Sequence, residues 1–204
     1  MKKLLVGTAF CLAGSFVQAQ TQQDLLRDGN GGSTENVLTY GMGYHQQRYS
    51  RLDQVNRRNV GRLVPIWNLS LNNDLGEQAQ PIVYDGVMYV VNVKRVVAID
   101  VATGRQIWTS QSEWDPATAR VVCCGLSTRG VAVYNGKVFV PTIDAHLKAF
   151  DAKTGKEIWT VALPAGASKN PANANANPMS YLGKSGKQYV AIVAGSTLVS
   201  YAIP

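Results

Sequence analysis

One sentence is written twice in this chain. Ala98-Ile99-Asp100-Val101-Ala102-Thr103-Gly104-Arg105-Gln106-Ile107-Trp108 returns 51 residues later as Ala149-Phe150-Asp151-Ala152-Lys153-Thr154-Gly155-Lys156-Glu157-Ile158-Trp159. Each copy reads as a strand, a tight turn and a second strand. A strand-built repeat of about 50 residues is the mark of a propeller-like array, with one blade per unit. Asp100 and Asp151 are placed to fold their carboxylates onto the turn that follows. Gly104 and Gly155 supply its positive φ. Trp108 and Trp159 close each unit with a ring large enough to fill the space between neighbouring sheets.

The units extend upstream. Ile82-Val83-Tyr84, Asp85-Gly86 and Val87-Met88-Tyr89-Val90-Val91 form a hairpin signal, repeated by Val131-Ala132-Val133-Tyr134, Asn135-Gly136 and Lys137-Val138-Phe139-Val140. With the Thr-Gly segments this makes two units of four strands. A third unit begins at Pro178-Met179-Ser180-Tyr181 and runs to Leu198-Val199-Ser200-Tyr201, without a Thr-Gly turn. Residues 61–71 end in Ile66-Trp67, like the final strand of a unit, and are expected to complete the third one and close the ring. The expected fold is therefore all-β, with four-stranded antiparallel blades of a β-propeller. About three blades are present, an incomplete set against the usual four to eight. Two apolar blade faces are then left open, where self-association is expected.

Residues 1–19 carry Lys2-Lys3, an apolar run and Val17-Gln18-Ala19, the pattern of a secretory signal peptide. The expected location is periplasmic, by export. Cys11 is lost with the signal, and the formal charge of +7 falls to +5 without Lys2 and Lys3. The remaining positives, such as Arg48, Arg51, Arg57, Arg58 and Arg62, are not interleaved with stacking aromatics, so no nucleic-acid partner is expected. The mature part holds no apolar run long enough to span a membrane. Residues 20–164 hold an N-terminal arm, the closing strand and two blades. Residues 165–177 are a low-complexity junction, and residues 178–204 hold the last blade's strands. Residues 20–32 are polar and are expected to be extended or loosely ordered. A short helical turn is expected between residues 52 and 60.

Cys123-Cys124 is the sharpest chemical feature. Adjacent Cα atoms lie about 3.8 Å apart, below the usual disulfide span of about 4.4–6.8 Å. Two readings stand: two small buried residues, or a strained disulfide between neighbours, which export favours. His45 and His146 are isolated and offer no metal-ligand spacing. Asp144 and Asp151 sit in repeat turns and are not candidates for a catalytic base.

Val122-Cys123-Cys124-Gly125-Leu126-Ser127-Thr128-Arg129-Gly130 resembles the vicinal-cysteine segment of quinoprotein alcohol dehydrogenases, which use pyrroloquinoline quinone (PQQ). Leu38-Thr39-Tyr40-Gly41, Gln47-Arg48-Tyr49-Ser50, Leu52-Asp53-Gln54-Val55-Asn56 and Asn59-Val60-Gly61-Arg62-Leu63 are similar to that family's N-terminal segment. Gly76-Glu77-Gln78-Ala79-Gln80-Pro81 is similar to its approach to the first blade. Asn177-Pro178-Met179-Ser180-Tyr181 and Gly186-Lys187-Gln188-Tyr189-Val190-Ala191 are similar to its last blade.

The resemblance implies an eight-bladed parent with PQQ and Ca2+ or a lanthanide near the axis. It implies a Cys123–Cys124 ring stacked on the PQQ plane, Arg129 paired with a PQQ carboxylate, and Glu77 bonded to the cofactor's polar edge. The family oxidises an alcohol to an aldehyde and passes the electrons to a cytochrome. Its catalytic aspartate and metal ligands lie in blades that have no counterpart between Trp159 and Asn177. No residue here is assigned as catalytic or metal-binding, and little or no activity is expected of this chain alone. The alternative is a non-catalytic exported propeller-type binding module.

Overall fold

The computed structural model describes residues 20–72, 76–111, 113–120, 126–162, 179–182, 188–194 and 197–202. The signal-like segment, the 165–177 junction and the Cys123-Cys124 pair lie outside the described residues.

Two four-stranded antiparallel sheets dominate. The first orders β2 (Ile82–Tyr84), β3 (Val87–Asn92), β4 (Arg95–Asp100) and β5 (Gln106–Gln111) side by side. The second orders β7 (Ala132–Tyr134), β8 (Lys137–Pro141), β9 (His146–Asp151) and β10 (Glu157–Ala162) in the same way. Their turns are those the sequence requires. Asp85-Gly86 and Asn135-Gly136 take positive φ at both residues, the mirror-image turn that matches strand twist. A third sheet has the order β11 (Met179–Leu182), β12 (Gln188–Ala194), β13 (Thr197–Ala202), and β11 lies against β7. The remaining strands, β1 (Gly76–Gln80) and β6 (Ser127–Gly130), pair with each other in parallel.

The blades are held by one device used twice. Trp108, at the end of the first blade, lies on Gly155 in the Thr-Gly turn of the second. Its indole N–H donates to the carbonyl of Ala152 at 2.8 Å. An added Cβ on Gly155 would fall 2.5 Å from the Trp108 ring, so only glycine admits this approach. Trp67 sits on Gly104 of the first blade in the same manner, with its N–H donating to the Val101 carbonyl at 3.3 Å. Asp100 and Asp151 hold these turns. Asp100 accepts from the Thr103 amide and hydroxyl, and Asp151 from the Lys153 amide and from the Thr154 amide and hydroxyl. The core between the blades follows strand alternation: Val87, Tyr89 and Val91 meet Val131, Val133, Val138 and Phe150.

Two expectations change. The stretch 20–32 is not loose. It contains α1 (Gln22–Asp28), opened by a capping box in which the Thr21 hydroxyl accepts from the Asp24 amide while the Asp24 carboxylate accepts from the Thr21 amide. Residues 63–71 form no strand, although Trp67 docks as a final-strand tryptophan does. The only regular piece nearby among the described residues is a 3-10 turn at Val60–Arg62. A strand needs a ladder, and the third sheet contains three strands among the described residues, none of them this one. Leu63, Val64 and Ile66 are consequently exposed. No helix among the described residues is long and apolar enough to cross a membrane.

Candidate cofactor-edge site

The parallel pair β1–β6 carries two of the singled-out residues, Glu77 on β1 and Arg129 on β6. Each strand runs directly into the first strand of a blade, β1 through Pro81 into β2 and β6 through Val131 into β7. Equivalent positions of successive repeats therefore pair: Gly76 with Ser127 and Glu77 with Thr128. The register slips between Glu77 and Gln80, so that Gln80 meets Gly130. Both strands lie against β3.

The pair is also tied to the N-terminal arm. Gln80 accepts from the Gly41 amide at 2.7 Å and donates to the Thr39 carbonyl at 3.3 Å. Arg48 folds over the Tyr40 ring, 5.3 Å from its centroid, and donates to the Tyr40 hydroxyl at 2.7 Å. Val37 bridges β2 at Val83, and the Asp24 carboxylate accepts from the Tyr84 hydroxyl at 3.0 Å. Burial pushes the Asp24 carboxyl up, but the bonds from Thr21, Tyr84 and Arg27 outweigh it and hold it below its ordinary range. Burial, and then the Asp24 charge, push Tyr84 up to about 12.

Arg129 is exposed on β6, and no ion pair among the described residues includes it. Beside it Thr128 is 1% exposed, with a hydroxyl that has no hydrogen-bond partner. Glu77 pairs through its backbone with Thr128. Gln78 is exposed, as Arg129 is, and strand alternation puts the two on the same open side. Sequence reasoning passed over Gln78 and Thr128. Their signal was the 51-residue offset itself, which becomes informative only once the strands are known to pair in parallel.

An exposed guanidinium fork on a rigid strand has the geometry to pair with a carboxylate. Among the described residues no cluster of His, Cys, Asp or Glu fits a metal ion. His45 is exposed, and His146 faces Asp144, with Nδ1 3.3 Å from Oδ2. Asp151 is used by its turn, as expected.

The comparisons with known proteins follow this geometry. The family model "Glucose/ethanol/alcohol dehydrogenase, beta-propeller domain" matches residues 38–139. A related model, "Outer membrane protein assembly factor BamB", matches residues 93–197. The dehydrogenase subunit of a quinone alcohol dehydrogenase from Gluconobacter oxydans is 40% identical over 78% of this chain and 22% of its own length. A quinohemoprotein alcohol dehydrogenase structure from Pseudomonas putida HK5 superposes with a TM-score of 0.73 at 32% identity. That match covers 91% of this chain and 27% of the other. A europium-containing methanol dehydrogenase structure matches with a TM-score of 0.72 at 25% identity, covering 89% and 32%. The chain thus spans about a fifth to a third of the length of these proteins. With the blades, the docked tryptophans and the dehydrogenase model in agreement, the chain belongs to the PQQ β-propeller family of glucose, ethanol and alcohol dehydrogenases.

Proposed function

We propose that this chain carries one edge of a PQQ site on an exported, partial propeller, and that alone it binds the cofactor without turning over alcohol. The observation that carries the reading is the exposed Arg129, which no ion pair among the described residues includes, on β6, whose parallel pairing with β1 sets Gln78 on the same side of the strand pair. Arg129 would hold a cofactor carboxylate through its planar fork. Gln78, on the same side as Arg129, would meet the cofactor's polar edge, where the family resemblance also puts Glu77. Cys123 and Cys124, joined as a disulfide, would cover one face of the ring. When bound, PQQ supplies two-electron acceptance from an alcohol that leaves as an aldehyde.

The chain's own part is to bind and orient the cofactor. The catalytic base and the Ca2+ or lanthanide ligands belong, by family resemblance, to blades with no counterpart here. A periplasmic location after signal cleavage and a cytochrome as electron partner are further parts of the proposal. Ile158 and Val161 are exposed on β10, the outer strand of the second blade, and this edge is where self-association would occur.

The test is a pair of assays on the purified chain. PQQ titration followed by absorbance should saturate, and binding should weaken in Cys123→Ser. Alcohol-dependent dye reduction with PQQ and Ca2+ should stay at background. Turnover near that of a full-length dehydrogenase would sink the second half of the proposal.

A second reading, a non-catalytic propeller-type binding module, is favoured by the assembly-factor model over residues 93–197. Absence of any PQQ binding, with the chain folded, would select it.

A further inference from the structure

The turn between β3 and β4 buries a positive charge that no ion pair among the described residues answers. Asn92 and Arg95 are cross-strand partners on either side of this turn, so their side chains leave the same face of the sheet. They are only 4% and 7% exposed. Arg95 donates from Nε to the Thr109 hydroxyl at 3.3 Å, and from Nη2 to Thr109 at 3.2 Å and to the Gln106 side-chain oxygen at 3.3 Å. All of these acceptors are neutral. Arg95 Nη1 and Asn92 Oδ1 are buried without a partner. None of the ion pairs among the described residues includes Arg95.

The second blade has an acid near the equivalent position. His146 stands 51 residues after Arg95 and opens β9 as Arg95 opens β4. There the turn supplies its own acid. Asp144 Oδ2 lies 3.3 Å from His146 Nδ1, and the Thr142 hydroxyl donates to the other Asp144 oxygen. In the first blade the turn residues are Val93 and Lys94, which carry no carboxylate. An interior guanidinium without a counter-charge is strongly disfavoured, and cannot escape by losing its proton.

We propose that Asn92 and Arg95 form a receiving site for a carboxylate on the first blade, separate from the β1–β6 edge. Arg95 Nη1 supplies a charged N–H to the incoming oxygen. Asn92 turns its amide about the last side-chain torsion to present its N–H groups to the same ligand. The carboxylate comes either from a free organic acid or from an Asp or Glu side chain of a second polypeptide.

Thermal unfolding of the full chain, with sodium formate replacing sodium chloride at constant ionic strength, tests the site. The melting temperature should rise saturably with formate. Arg95→Met should abolish the response, and Arg95→Lys, which keeps the charge but not the fork, should move its midpoint by about tenfold. Sedimentation velocity separates the two sources, and both results support the site. An oligomer dispersed by formate identifies a side chain of a second polypeptide, and a monomer throughout identifies a free acid. The proposal is overturned if the parent shows no formate-specific rise, or if the rise persists in Arg95→Met.

Discussion

Gly155→Ala should be among the most damaging single-methyl additions in this protein, and the reason can be split into two measurable parts. Gly155 has a φ of +71°, and a Cβ there would fall 2.5 Å from Trp108 Cε3, 2.7 Å from Cδ2 and 2.8 Å from Ser110 Oγ. The left-handed backbone costs an alanine about 1–2 kcal/mol. Forcing the methyl into the docked indole adds about 1–3 kcal/mol of overpacking. The sum is about 2–5 kcal/mol, which corresponds to a melting temperature lower by about 2–4 °C for each kcal/mol.

Gly86 provides the control. Its φ is +72°, and a Cβ there meets nothing within 4 Å. Gly86→Ala should therefore show the backbone part alone, about 1–2 kcal/mol. Trp108→Ala should cost about 3–5 kcal/mol by emptying the space between the blades. In the double variant the alanine methyl at 155 no longer meets the ring, so the loss should fall short of the sum by about 1–3 kcal/mol. Urea unfolding followed by tryptophan fluorescence and circular dichroism measures all four. Equal losses for Gly155→Ala and Gly86→Ala, or strict additivity with Trp108→Ala, would refute the docking argument.

Other consequences can be checked at once. Gly104→Ala meets Trp67 at the same 2.5 Å, but Trp67 lies on a segment outside any sheet and can retreat. Its cost in urea should therefore stay nearer that of Gly86→Ala than that of Gly155→Ala. Tyr84 and Tyr89 are pushed up to about 12, chiefly by burial. They should ionise last in a titration read at 295 nm, and Tyr84→Phe and Tyr89→Phe should each remove part of that late step. Because their folded values lie above the unfolded ones, the stability they contribute is complete below about pH 10 and is lost as pH rises toward 12. Asp24 has the opposite sign. Its folded value is depressed by hydrogen bonds that outweigh burial, so its contribution is complete above about pH 4 and is lost as pH falls through the folded value. Asp24→Asn should flatten that acid limb in far-UV circular dichroism melts.

What could be read from the sequence was whatever repeats locally. The hairpins at Asp85-Gly86 and Asn135-Gly136, the Thr-Gly turns and the strands β3, β4, β8 and β9 are short-range signals, and each appears where expected. Helix α1 was hidden because it is brief and polar, and its only mark is Thr21 three residues before Asp24. Residues 63–71 have the apolar pattern of a strand, but pattern cannot supply the missing neighbour that a ladder requires. The site was half legible. Motif resemblance named Arg129 and Glu77, but that their strands lie side by side depends on a parallel pairing across 51 residues, which no local rule specifies. The same pairing is what brought Gln78 and Thr128 into view.

The most direct test of the cofactor-edge account is equilibrium dialysis of PQQ against the purified chain and its Arg129→Gln variant, with folding of both verified by circular dichroism. Saturable, one-to-one binding that weakens about tenfold or more in Arg129→Gln is the expected result, because a charged hydrogen-bonded pair is lost. Binding of equal strength in both proteins, or none in either, would contradict it.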